Sequence, residues 1–189
     1  MAYKLITSIF VVLILTSCGT EKYSGDFSYQ VEDFSYTSQA GETLSKSDLD
    51  GQFWIANMIF TNCTSICPPM TANMARLQGL LDDAGIDAQL VSFSVDPTND
   101  TPEILQEYIE ERGGNFDNWH ALTGYSDDDI KQFANQSFKA FVENPDNSDQ
   151  VIHVSKFYLV SPEGNTIKSY DGEKAADMTK IVEDIQAMN

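Results

Sequence analysis

Phe53-Trp54-Ile55-Ala56-Asn57-Met58-Ile59-Phe60 is a run of eight residues, apolar except for Asn57, followed by the polar loop Thr61 to Cys67 and then by Pro68. A short apolar run of this kind suits a central strand buried on both faces, because alternation disappears when neither face meets water. Pro68 fits the first turn of a helix, where its missing N–H costs nothing. Met70, Met74, Leu77, Leu80, Leu81 and Ala84 then recur at helical spacing until Gly85 stops the pattern. The order is strand, cysteine-bearing loop, helix.

The same alternation continues downstream. Ala88 to Val95 reads as a second buried strand, and Thr101-Pro102-Glu103 opens a helix to about Arg112, closed by Gly113-Gly114. Alternating strands and helices predict an α/β domain, a central mainly parallel sheet flanked by helices. Trp119 to Leu122 forms a short strand, and Ser126 with Asp127, Asp128 and Asp129 makes an acidic start for a helix reaching about Asn135. Phe138 to Glu143 fits neither period, and Asn144 to Gln150 is a polar loop. Lys156 to Ser161 and Thr166 to Asp171 flank Pro162-Glu163-Gly164-Asn165 as a β-hairpin, and Ala175 to Met188 is an amphipathic terminal helix. Upstream, Phe27 to Tyr36 alternates as a strand or hairpin arm before a turn at Ala40-Gly41-Glu42.

Composition removes several classes of function. Eleven Lys and Arg stand against 29 Asp and Glu, a formal charge of −18, and Arg76 and Arg112 are the only arginines, so there is no basic face with which to bind nucleic acid. At 42% hydrophobic the 189-residue chain is too apolar for a disordered acidic tail and long enough for one domain with a substantial core. The acidic excess favours solubility and cationic partners. Asp127 to Asp129 and Glu110-Glu111 lack the ligand spacing of a calcium loop and read as helix-end and solvated-face charges.

The first 17 residues carry Lys4 and no acid, with an apolar stretch from Leu5 to Leu15. A bilayer-spanning helix needs about 20 residues, so this stretch is a signal-peptide core rather than a membrane span. Leu15-Thr16-Ser17-Cys18 resembles the lipobox of bacterial lipoproteins, which makes Cys18 the expected lipidation site and first mature residue. The expected layout is a lipoprotein signal peptide over 1–17, a tether over 18–26 and one domain over 27–189. The product would be held on the extracytoplasmic face of the cell membrane by its lipid, not by a membrane-spanning helix.

Two thiols then remain, Cys63 and Cys67, at the end of a central strand and the start of a helix. Ligands gather at the carboxyl ends of strands in α/β sheets, and a helix N-terminus stabilises a thiolate. A structural disulfide closing so short a loop would constrain the unfolded chain little, which leaves redox or metal chemistry as the stronger readings. Of the two histidines, His120 sits within a short strand and reads as a satisfied side chain. His153 enters the chemistry only if the fold brings it beside the cysteines. Met70 and Met74 are soft potential ligands, but their spacing is that of a core stripe.

Four separated motifs occur in order: Phe60-Thr61-Asn62-Cys63-Thr64-Ser65-Ile66-Cys67-Pro68; Ser94-Val95-Asp96-Pro97 with Asp100-Thr101-Pro102; Trp119 with Leu122-Thr123-Gly124; and His153 before a strand. Together they resemble the Sco/SenC family, from about Phe27 to the C-terminus. The resemblance implies a thioredoxin-like fold and copper bound by Cys63, Cys67 and His153. It also implies a role in assembling the dinuclear copper centre of cytochrome c oxidase, with that enzyme's copper-binding subunit as partner. Two thiolates and an imidazole suit Cu(I), and Cu(II) if another group completes the shell. Zinc would accept the same trio, but structural zinc sites use four protein ligands. Asp96 matches an acidic position of the family near the site, although a carboxylate before proline serves first as a turn cap. A thiol-disulfide oxidoreductase using the Cys63/Cys67 redox pair is the alternative, despite a Cys-x-x-x-Cys spacing in place of the Cys-x-x-Cys of thioredoxins. A peroxidase fits less well, because the attacking cysteine of peroxiredoxins lies in a different motif.

Overall fold

The computed structural model describes residues 23–145, 148 and 150–188. Cys18 and the expected signal peptide lie outside the described residues. Ten strands and four α-helices form among them: β1 Tyr29–Gln30, β2 Ser35–Ser38, β3 Thr43–Ser45, β4 Phe53–Ile59, α1 Cys67–Asp83, β5 Ala88–Ser94, α2 Pro102–Glu110, β6 Trp119–Thr123, α3 Asp127–Phe138, β7 Val142–Glu143, β8 Ile152–His153, β9 Lys156–Val160, β10 Asn165–Asp171 and α4 Ala175–Met188. Eight strands make one sheet in the order β1-β10-β9-β4-β5-β6-β2-β3, and β7 pairs with β8 as a separate ribbon.

The sheet departs from the mainly parallel expectation in a definite way. Its centre is parallel, β4 beside β5 and β5 beside β6. Every other pairing is antiparallel. Crossover helices α1 and α2 force parallel pairing at the centre, whereas the β2–β3 and β9–β10 hairpins can only add antiparallel strands at the sides. The whole of β4 is buried, as its unbroken apolar run requires.

On one face of the sheet, Trp54 and Phe93 join Phe34, Phe133 and Phe138 in a cluster of aromatic rings, with Phe93 and Phe133 centroids 5.0 Å apart and Phe34 and Phe93 5.4 Å apart. The opposite face meets α1, whose Met70, Met74, Leu77 and Leu81 are fully buried. Both methionines are therefore core. Gly85, at φ +64°, ends α1: its N–H reaches the Asp82 carbonyl, and the Ile86 N–H reaches that of Leu81. That paired capping needs a left-handed residue, which glycine adopts without strain. The chain already packs at Tyr23, whose ring meets Phe53 at 5.1 Å, and the Asp26 N–H donates to the Ile167 carbonyl, so residues 23–26 lie against the domain.

Candidate metal and redox site

The parallel strands β4, β5 and β6 end at the same rim, and the loops that follow them build the site. After β4 the chain turns through Thr61 to Ile66 into α1, which places Cys67 at the first residue of the helix and Cys63 one loop before it. The Cys67 backbone N–H donates to the Cys63 sulfur at 3.3 Å, and Ser65 Oγ lies 3.8 Å from the same sulfur. His153 comes from β8, 86 residues beyond Cys67 in sequence, and puts Nε2 3.2 Å from the Cys67 sulfur. Both cysteines are free thiols and, like His153, buried. The structure thus brings together the three residues singled out from sequence, and it leaves His120 apart, half-buried with Nε2 beside Gln89 Oε1.

Protonation within the trio follows from the contacts. The His153 Nδ1 faces the Val154 carbonyl at 3.2 Å. A carbonyl only accepts, so the ring proton sits on Nδ1 and the Nε2 lone pair faces Cys67. Burial holds the imidazole below its ordinary pKa, against a smaller opposite effect of the Val154 carbonyl. Burial also pushes the Cys67 thiol far up, and its hydrogen bond to Cys63 adds to the rise. Burial opposes ionisation of Cys63 too, but the Cys67 thiol and backbone together with Ser65 donate to its sulfur and bring it below the ordinary thiol value. The pair is split: Cys63 is the better thiolate, and Cys67 holds a proton between two acceptors, the Cys63 sulfur and His153 Nε2.

A buried carboxylate that the sequence reading passed over holds the cysteine loop. Asp100 accepts from the Thr61 N–H at 3.2 Å, from Thr61 Oγ1 at 2.6 Å and from Ser94 Oγ at 2.6 Å, while Thr123 Oγ1 donates to its backbone carbonyl. It ties together the ends of all three parallel strands. Burial nevertheless raises its pKa, these hydrogen bonds opposing the rise. Asp96 instead accepts twice from the Asn99 amide, and its carbonyl caps the turn at Asn99 and Asp100. This is the turn role expected of it.

Tyr108 is the other missed neighbour. Burial raises its hydroxyl pKa to about 12, and that hydroxyl approaches Thr71 without reaching hydrogen-bond geometry. Thr71 itself donates to the Cys67 carbonyl at 2.9 Å. A polar cleft lined by Gln78, Asp82, Asp87, Asn115, Asp117 and Asn118 lies at the opposite, amino-terminal end of β5 and β6 and has no part in this chemistry. Among the described residues, no group of three or more His, Cys, Asp or Glu side chains stands ready to hold a metal ion, and no helix is long and apolar enough to cross a membrane.

A thiol pair at the carboxyl end of a parallel strand, opening a helix, defines a thioredoxin-like protein in which a sequence-distant imidazole faces the thiols. The family model for SCO1/SenC matches residues 24–189, and the chain belongs to that family. A SCO1/SenC family lipoprotein from Bacillus anthracis str. Ames is 41% identical and superposes with a TM-score of 0.81, over 85% of this chain and 95% of that one. BsSco, a member of the Sco family of cytochrome c oxidase assembly proteins in which a disulfide switch was identified, is 44% identical with a TM-score of 0.80, over 89% and 98%. ScoI of Arabidopsis thaliana, solved with copper bound, is 28% identical with a TM-score of 0.70, over 82% and 98%. The fold is thioredoxin-like, as the sequence motifs implied.

Proposed function

We propose that this protein is a lipid-anchored copper chaperone that serves assembly of the dinuclear copper centre of cytochrome c oxidase, with Cys63, Cys67 and His153 as copper ligands and the enzyme's copper-binding subunit as recipient. The observation that carries the reading is the 3.2 Å approach of His153 Nε2 to the Cys67 sulfur across 86 residues of sequence. The donor set fits the metal. Two soft sulfurs and one imidazole match Cu(I), and the His153 Nδ1–H on the Val154 carbonyl fixes the tautomer that leaves Nε2 free to coordinate. Copper has to displace the Cys67 proton and draw the three donors together around itself, so binding releases protons and weakens as pH falls. An incomplete shell of three protein ligands leaves a position open, which suits cargo that must be handed on. The likeness to a copper-bound relative and to a lipoprotein of the family supports the same reading.

Titration of the reduced, detergent-solubilised chain with Cu(I) tests it. One copper per chain is expected, with binding impaired in each of Cys63→Ala, Cys67→Ala and His153→Ala. Full affinity in His153→Ala would sink the ligand assignment. Anchoring at Cys18 on the extracytoplasmic face is checked by mass spectrometry of the mature N-terminus, where an unmodified end elsewhere would refute it.

The split thiols favour a second reading, disulfide reduction in a partner: Cys63 is placed to attack, and Cys67 holds a proton until it resolves the mixed disulfide. Retained reductase activity in His153→Ala, together with no copper binding by the wild type, would select this reading over the first.

A further inference from the structure

Among the described residues, four large apolar side chains stand exposed: Tyr29, Ile104, Phe141 and Ile152. Two of them, each 53% exposed, stand at the two-stranded ribbon that carries His153: Ile152 within β8, and Phe141 immediately before β7. Val142 pairs with His153 and Glu143 with Ile152, and Phe141 immediately precedes the first of these strands. Side chains alternate across a strand, and burial follows that alternation: Val142 and His153 are buried, whereas Glu143 and Ile152 are exposed, as is Phe141 beside them. One face of the ribbon therefore delivers the imidazole to Cys67. The other turns Ile152 and Glu143 to water, with the exposed Phe141 just ahead of Val142, while Val154 packs against the core.

We infer that this outer face of the ribbon is the docking surface for the protein that takes the cargo, and that the partner meets it with an apolar centre and a cationic rim. The inference rests on the copper-delivery reading. The donors Cys63, Cys67 and His153 are buried, so a protein acceptor must seat itself where they come nearest the surface, at the exposed Thr64 and Ser65 and at the ribbon one residue either side of His153. Charge chooses among possible occupants. A chain of formal charge −18 repels a second copy of itself and an anionic lipid surface alike, and Glu143 adds its charge within the patch. A cationic rim is attracted to both, while apolar contact at the centre excludes water from the transfer path. Solvent-facing aromatic and aliphatic side chains clustered beside a site are the features that anchor such contacts.

The test follows second-order copper transfer from the loaded, detergent-solubilised full chain to the copper-free copper-binding subunit of the cell's own oxidase, and in parallel to a small Cu(I) chelator. Phe141→Ser combined with Ile152→Ser should slow transfer to the subunit about tenfold or more, the loss of one interface anchor's worth of binding. Transfer to the chelator should stay unchanged. Glu143→Arg should slow the subunit reaction as well, and Ile104→Ser, on α2 rather than on the ribbon, should leave both reactions as they are. Equal subunit rates for the ribbon variants and the wild type would overturn the docking surface while leaving the chaperone reading intact, as would slowing of the chelator reaction by the same factor. Faster transfer by Glu143→Arg would overturn the cationic rim. A wild type that binds copper but passes none to the subunit would overturn the recipient named above, and this surface with it.

Discussion

Asp100 is the residue on which the cysteine loop hangs, and removing its carboxylate should loosen the site more than any surface change. Asp100→Ala strips the acceptor from three donors at once, the Thr61 N–H, Thr61 Oγ1 and Ser94 Oγ. A hydrogen bond to a charged group is worth about 1.5–3 kcal/mol, and a buried donor left without a partner is penalised further. Burial of the carboxylate works the other way, as its raised pKa shows, and that penalty disappears in the alanine variant. The balance is a loss of about 3–5 kcal/mol. At about 2–4 °C per kcal/mol for a domain of this size, Tm should fall by roughly 6 °C or more. Asp100→Asn keeps one oxygen for Thr61 and offers an amide that Ser94 Oγ can accept, so its loss should be about 1 kcal/mol. The sign of the pH dependence is also fixed. A carboxyl whose folded pKa lies above its unfolded value binds more protons folded than unfolded between the two, so its contribution to stability falls as pH rises through that window. Asparagine has no such slope, and the deficit of Asp100→Asn should shrink from about pH 4 towards neutrality. Urea and thermal unfolding of the reduced full chain in detergent measure all three. An alanine variant within about 1 kcal/mol of wild type, or an asparagine variant as damaged as alanine, would refute the clamp.

Two further expectations concern the thiol pair and the segment ahead of β1. Because Cys63 is the better thiolate and Cys67 holds its proton, iodoacetamide should modify Cys63 first, and mass mapping after partial reaction at neutral pH would contradict the split if it found equal labelling. A Cβ on Gly25 would collide with the Ile167 carbonyl oxygen, so Gly25→Ala should free the segment before β1 and raise amide exchange of Asp26 and Phe27. Unchanged exchange there would show that the segment is not seated on β10.

How much of this was readable in advance depended on the range of the interaction. The run Phe53 to Phe60 and the stripe Met70, Met74, Leu77 and Leu81 carry their periods within one element, and β4 and α1 stand where those periods put them. The Ser126 start of α3 was equally local, since its side chain and that of Asp129 cap the helix reciprocally. The helix then runs on to Phe138 because Phe133 and Phe138 are buried in the aromatic cluster, a tertiary gain that no local signal before Asn135 announces. Likewise Phe138 to Glu143 could not be assigned from sequence. Lys139 takes a left-handed φ of 52° to leave α3, and Val142 becomes a strand residue only through pairing with His153. The Asp100 clamp was hidden for the same reason: the Asp-Thr-Pro stretch signals a helix start, while its link to Thr61 spans 39 residues. His153 was found through the order of motifs rather than through any physical signal of its own.

The 86-residue separation of Cys67 from His153 also bears on when the site comes into being. The cysteine loop, β4, α1 and β5 are neighbours in sequence and can form early and locally, whereas the imidazole arrives only when the C-terminal hairpin has closed on β4. Until that moment the thiols exist without their third donor. A chain cut short before residue 153, or stalled with its last strands undocked, offers a dithiol open to oxidation and no place to hold an ion in a three-point grip. On the copper-delivery reading proposed above, competence to carry cargo is conditional on completed folding, and an immature molecule is denied it by topology alone.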